Sequence, residues 1–154
     1  MKANFIVMLV CFMQALYLLA CGPSDEQVKK VIKVGTEIAE IQKDYYPAIT
    51  ELGRVAGQIE KVLQRQDPST KAMASEITKA QQLITEAFTA SQKAQDSAVV
   101  GSMYASSEKY ILAEERFKAL LKEALEKTKI AVSKSHEVLE ALANAKTGKQ
   151  ARKK

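Results

Sequence analysis

Apolar residues recur every three or four positions along most of the chain after residue 24, as they do on one face of an α-helix. Ser24 followed by Gln27 is typical of a capped helix start. Pro47 lies inside the first apolar segment, yet the spacing continues across it unshifted. We therefore predict one kinked helix from about residue 24 to about residue 65. Its expected buried face comprises Val28, Val31, Gly35, Ile38, Tyr45, Ile49, Leu52, Ala56, Ile59 and Leu63.

Two further helices are predicted after a break at 66–69. Asp67 suits an N-cap and Pro68 suits the first helical position. The second helix should bury Met73, Ile77, Ala80, Ile84, Ala87, Ala94 and Ala98. Gly101 and Ser102 should separate it from a third helix, which Thr147 and Gly148 should end. The third helix carries two apolar sets, so its buried face should drift: first Tyr110, Ala113, Phe117, Leu120 and Ala124, then Leu121, Leu125, Val132, Leu139 and Leu142.

The predicted fold class is all-α, an antiparallel bundle of about three long amphipathic helices without disulfides. The chain has only six Gly and three Pro, too few for the many turns of an all-β protein. We place the helical bundle domain at 25–146 and a basic disordered tail at 147–154. A count of two or four helices stays open, because Pro47 or Ser106 can be a true boundary.

The first 20 residues predict a secretory signal peptide. Lys2 is followed by an apolar run from Phe5 to Met13, and then by Gln14 and a second apolar stretch that ends at Ala20. A cationic start, a short apolar core and a small residue at the end are the features of such a signal. The run is also short for a stable bilayer span.

The sequence Leu18-Leu19-Ala20-Cys21 resembles the lipobox of bacterial lipoproteins. That resemblance implies cleavage between Ala20 and Cys21, acyl chains such as palmitate on Cys21, and a tether at 21–24 that holds the protein on the membrane. Gly22, in place of an acidic residue, favours the outer membrane or cell surface. The alternatives are a plain signal peptide with an incidental cysteine and an uncleaved anchor helix. After cleavage Cys21 is the only cysteine, so no intrachain disulfide can form.

The net charge of +5 belongs to the two ends of the chain. Without Lys2 and the five basic residues after 145, 17 basic residues remain against 18 acidic ones. A nucleic-acid-binding domain would carry its basic patch on the folded body, so we expect no nucleic-acid partner. Candidate polyanion contacts are Lys149, Arg152, Lys153 and Lys154 in the tail, and Lys118, Lys122 and Lys129 on the third helix. A solvated tail and ordinary exposed ion pairs, Glu114 with Lys118 and Glu123 with Lys127, are the competing interpretation.

Residues that carry enzyme chemistry are scarce. His136 is the only histidine, and the sequence contains no glycine-rich phosphate loop and no metal-ligand spacing. We therefore expect no catalytic residues, no metal, no cofactor and no enzyme activity.

In its layout the chain resembles the small all-helical surface lipoproteins of spirochaetes. The shared features are Leu18-Leu19-Ala20-Cys21, the helical body without disulfides and the basic end 149–154. The resemblance implies an adhesin or immune-evasion protein that binds a host protein or glycosaminoglycan. The alternatives are a structural envelope lipoprotein that tethers peptidoglycan through its basic end, and an accessory subunit that docks on another envelope protein. The heptads also allow the chain to form an oligomer.

Overall fold

A computed structural model describes residues 24–65, 67–101 and 107–151. These residues form four helices: α1 (Asp25–Leu63), α2 (Pro68–Ala72), α3 (Ala74–Gly101) and α4 (Ser107–Ala151). No strand occurs in the described ranges, and the predicted all-α class is confirmed.

Helix α1 begins and continues as its sequence predicts. The Ser24 hydroxyl accepts a hydrogen bond from the Gln27 backbone N–H at 3.4 Å, and the Gln27 side-chain oxygen accepts one from the Ser24 N–H at 3.1 Å. Pro47 lies inside α1, so the prediction of one helix rather than two is confirmed. Proline has no N–H, and α1 therefore lacks one backbone hydrogen bond there.

The predicted second helix is interrupted near its start. Asp67 caps α2 as expected, since its Oδ1 accepts hydrogen bonds from the Thr70 N–H at 2.8 Å and the Thr70 hydroxyl at 3.1 Å. Met73, however, has φ −108° and ψ 14°, outside the helical range. Its N–H is shared between the carbonyls of Ser69 and Thr70, both at 3.2 Å, which ends the short α2. The prediction of one continuous helix from Pro68 is therefore wrong.

Helix α4 is longer than predicted. The helix end expected at Thr147 and Gly148 is wrong, because α4 continues through both residues to Ala151. A glycine inside a helix costs about 1 kcal/mol relative to alanine, which a long helix tolerates. Helix α3 reaches Gly101 as expected, whereas Ser102, Ser106 and 152–154 lie outside the described residues.

Helix α4 packs against both other long helices, and α1 contacts α3 less extensively. Three side-chain pairs join α1 to α4: Glu37 with Lys118, Asp44 with Lys129 and Glu51 with His136. The pairs follow the same order along both helices, so α1 and α4 run in the same direction. Glu76, at the start of α3, pairs with Lys134 in the second half of α4, which places the start of α3 far from the start of α4.

The core consists of two hydrophobic clusters along the helix axes. The cluster nearer the start of α1 contains Val34, Ile38, Tyr45, Ala90, Ala94, Phe117, Leu121 and Ala124. The other contains Leu52, Val55, Ile59, Ile77, Ala80, Ile84, Ala87, Ala131, Val138 and Leu142. On α1 the expected positions Gly35 and Leu63 are exposed, and Val34 and Val55 are buried instead. The buried heptad positions of α1 are thus partly displaced by one residue from those predicted.

The buried face of α4 is one continuous stripe, so the predicted drift is wrong. It runs through Tyr110, Ala113, Phe117, Leu121, Ala124, Thr128, Ala131, Ser135, Val138 and Leu142, at steps of three or four residues. Leu125, Val132 and Leu139 are only partly buried beside it. The apparent drift arose because two polar residues, Thr128 and Ser135, occupy core positions.

These two hydroxyls differ in their hydrogen bonding. The Ser135 hydroxyl donates to the Ala131 carbonyl one turn earlier, at 2.7 Å. Thr128 is completely buried, and its Oγ1 has no partner among the described residues. A buried hydroxyl without a partner costs roughly 1–3 kcal/mol of stability.

We predict that Thr128→Val stabilises the fold by about 1 kcal/mol, because valine has nearly the same shape and carries no hydroxyl. The measurement is the free energy of unfolding from urea denaturation followed by circular dichroism.

Thr85→Val is the matched control. Thr85 is exposed and its hydroxyl already bonds the Gln81 carbonyl at 3.0 Å, so the change should stay within about 0.5 kcal/mol. Destabilisation by Thr128→Val would contradict the assignment of an unsatisfied hydroxyl.

Candidate binding surface

The predicted cleavage and lipidation residues, Ala20 and Cys21, lie outside the described residues. The structure first describes Ser24, three positions after Cys21, and α1 begins at the next residue. Arg152, Lys153 and Lys154 of the predicted basic tail also lie outside the described residues. Lys149 belongs to the last turns of α4, and its side chain is not among those described.

The lysine stripe predicted on the third helix faces α1. Lys118 Nζ is 2.8 Å from Glu37 Oε2 and also forms an ion pair with Glu115, and only 16% of its side chain is exposed. The pair predicted between Glu114 and Lys118 is wrong. Glu114 is instead partly buried, which raises the pKa of its carboxyl, and its carboxyl hydrogen-bonds Tyr110. The pair between Glu123 and Lys127 is confirmed, at 3.0 Å.

The other two lysines of the stripe are more open. Lys129 Nζ is 3.6 Å from Asp44 Oδ2, and its side chain is 58% exposed. Lys122 is exposed and close enough to Glu37 to help lower the pKa of that carboxyl, an effect for which the hydrogen bond from Lys118 is the main cause. The structure therefore brings Lys118, Lys122 and Lys129 to the α1 side of α4, where carboxylates face them.

His136 contributes to the same contact between α1 and α4. Its Nε2 is 2.9 Å from Glu51 Oε1. Arg54 donates two hydrogen bonds to Glu51, from Nε to Oε2 at 2.8 Å and from Nη2 to Oε1 at 2.6 Å. The hydrogen bonds from Arg54 and then His136 lower the pKa of Glu51 to about 2. A carboxylate held by two helices in this way links them and explains why the lone histidine faces α1.

A groove between α3 and α4 differs in chemistry from the ion-paired contact between α1 and α4. It has a volume of about 840 Å³, and its lining combines cations with apolar side chains: Lys93, Asp96 and Ser97 from α3, and Lys109, Leu112, Ala113, Arg116 and Leu120 from α4. Leu112 is 69% exposed, whereas Ala113 belongs to the buried face of α4. The groove thus presents apolar and charged side chains together.

The charges of the groove are mainly positive. Three of its lining residues are basic and one, Asp96, is acidic. Asp96 accepts a hydrogen bond from the Gln92 side chain at 2.8 Å. Glu123 lies near this surface: the hydrogen bond from Lys127 is the main cause that lowers the pKa of its carboxyl, and the charge of Lys93 lowers it further. Arg116 has no ion-pair partner in the described part of the chain. Such a lining suits an anionic group attached to an apolar one.

The sequence analysis did not predict this groove, although the residues that α4 contributes to it show a recognisable spacing. Lys109, Leu112, Arg116 and Leu120 recur at helical spacing on one side of α4. Their juxtaposition with Lys93 depends on the register between α3 and α4, which no local pattern encodes.

The described residues contain no group of acidic, histidine or cysteine side chains that could hold a metal ion. Within the described ranges, every helix is too short or too polar to cross a membrane. Comparisons with protein families, curated proteins and solved structures found no match.

We predict that Glu51 stabilises the fold in a pH-dependent manner. Because its pKa is lowered from 4.5 to about 2, its contribution is present above pH 4.5 and is lost as the pH falls towards 2. The difference in melting temperature between the parent and Glu51→Gln should therefore be largest at neutral pH and shrink through this window.

The control for this series is Glu60→Gln, at an exposed position of the same helix. This variant measures the effect of replacing an exposed glutamate of α1, and its difference from the parent is subtracted at each pH. If the remaining difference for Glu51→Gln did not change with pH, the contacts of Glu51 would not favour its ionised carboxylate.

Proposed function

We propose that this protein is a lipid-anchored component of a bacterial cell envelope, and that its helical body binds a partner outside the cytoplasm. In this proposal Cys21 anchors the protein, the helices provide the binding surface, and no residue is catalytic.

The observation that carries the proposal is the sequence Leu18-Leu19-Ala20-Cys21 at the end of an apolar leader. Cysteine at this position of a signal peptide is the residue that bacterial lipoproteins acylate. The short distance to α1 supports this, because Asp25 follows Cys21 by four positions, which leaves a tether of at most about 14 Å.

We further propose that α1, α3 and α4 form the antiparallel three-helix bundle predicted from the sequence, with the short α2 at one end. The order of the α1–α4 contacts and the Glu76–Lys134 pair support this arrangement. In such a bundle Asp25 and Ala151 lie at opposite poles, so the helical C-terminus points away from the anchor.

A binding role is the form of function that the described surface supports best. The groove between α3 and α4 combines an exposed leucine with cations, and a surface of this kind suits recognition of an anionic group. A host protein or glycosaminoglycan is the partner expected from the resemblance to spirochaetal lipoproteins, and it would bind a surface of the helical body that faces away from the membrane. The outer membrane or cell surface is then the proposed location.

The continuation of α4 to Ala151 favours a second candidate, a structural lipoprotein that links the membrane to peptidoglycan. A helix of 45 residues extends about 68 Å and would carry the basic C-terminus away from the anchor. Protease added to intact cells separates the candidates, since it would cleave a displayed binding protein and spare a periplasmic tether.

We predict that the protein extracted from membranes has the mass of residues 21–154 plus acyl chains. Cys21→Ala should abolish acylation and leave the leader uncleaved, because the cysteine is both the acylated residue and the residue before which cleavage occurs. Intact-protein mass spectrometry measures both effects.

Cys11→Ala is the matched control, because Cys11 lies in the leader and is removed with it. This variant should give the parent mass. A parent protein that keeps its leader, or is cleaved without acylation, would contradict the anchor.

A further inference from the structure

The groove lies at the end of the molecule that the anchor would hold. Glu37 of α1 pairs with Lys118 of α4, and both helices run in the same direction. Lys109 is nine residues before Lys118 and is therefore level with about residue 28 of α1, roughly 5 Å along the axis from Asp25. Arg116 is level with about residue 35. The groove thus occupies the first third of α1, close to the tether.

The groove lies on the side of α4 that is opposite its ion pairs with α1. Arg116 and Lys118 are two residues apart on α4, so they project about 160° apart around the helix. Lys118 faces α1 and its carboxylates, whereas Arg116 lines the groove on the α3 side. The surface beside α3 is therefore the positive one, and the α1 side of α4 is neutralised by ion pairs.

The chemistry of the groove matches the interface of a membrane. Leu112 is largely exposed, and an exposed apolar side chain flanked by cations is one feature of helices that lie on an anionic bilayer surface. Lys93, Lys109 and Arg116 supply donors for phosphate oxygens. A bundle tethered by at most about 14 Å of chain can tilt so that this surface reaches the headgroups.

We propose that the groove between α3 and α4 binds the phosphate headgroups of anionic phospholipids in the membrane that holds the anchor. The bundle then lies tilted on its α3–α4 face, and the α1 face points outward for a partner. This inference rests on the proposed anchor, since the anchor places the groove beside the bilayer.

Lysine footprinting tests the proposal on the protein extracted from membranes. The protein is mixed with vesicles of phosphatidylcholine alone, or of phosphatidylcholine with phosphatidylglycerol, and treated with an amine-reactive reagent. Mass spectrometry should show that phosphatidylglycerol lowers modification of Lys93 and Lys109 by roughly fivefold. Lys61 and Lys71, exposed near the other end, should react equally in both vesicles.

Arg116→Gln should remove most of this protection, because it deletes one of the three cations of the groove. The matched control, Arg65→Gln, changes an exposed arginine at the far end of α1 and should leave the protection intact. Thermal unfolding of both variants should match the parent.

Equal modification of Lys93 and Lys109 in the two kinds of vesicle would overturn the proposal. Equal protection by glycerol phosphate without vesicles would also overturn it, in favour of a soluble phosphate ligand. Protection that grows with protein concentration in phosphatidylcholine vesicles would indicate a second copy as the occupant. The intact mass of the same preparation shows whether the protein is acylated. An acylated protein whose Lys93 and Lys109 are not protected would contradict headgroup binding by the groove but not the anchor at Cys21. A protein whose lysines are protected but which carries no acyl chain would contradict only the anchor.

Discussion

The burial of one face of α4 against both other long helices is the constraint on which the structure depends. Small residues recur along that face between larger ones, at Ala113, Ala124, Ala131 and Ser135, and α3 presents Ala80, Ala87, Ala90 and Ala94. Small side chains let helices approach closely but bury little apolar area each. The length of α4 offsets this small area per residue, because its buried face continues from Tyr110 to Leu142. Large residues of the other helices, such as Leu52 and Ile77, fill the space opposite it.

Because α4 packs on two helices, its remaining surface is divided into two sides of different chemistry. On the α1 side, Lys118, Lys129 and His136 meet acidic residues at intervals of seven along α1, namely Glu37, Asp44 and Glu51. On the α3 side, Arg116 and Leu112 line the groove. One side holds the helices together through ion pairs, and the other forms the groove that we propose as a binding surface.

Much of the fold could be predicted because its signals are local. The caps at Ser24 and Asp67 and the spacing across Pro47 each involve a few neighbouring residues. The break at Met73 and the burial of Thr128 could not be predicted, because no local sequence pattern marks either of them. The groove and the Glu51–His136 contact join residues that are distant in sequence, so they depend on helix register. The lipidation signal at Cys21 does not depend on helix register, because it consists only of neighbouring residues in the sequence.

We propose that the anchor holds the molecule at one end, with Asp25 nearest the bilayer. Gln95 and Ser75 are both exposed on α3 and lie about 30 Å apart along it. The most direct measurement is electron paramagnetic resonance of a nitroxide at Gln95→Cys or Ser75→Cys in the membrane-bound protein, with a relaxing metal chelated to lipid headgroups. We predict stronger relaxation at position 95 than at position 75. Equal relaxation, or stronger relaxation at position 75, would contradict it.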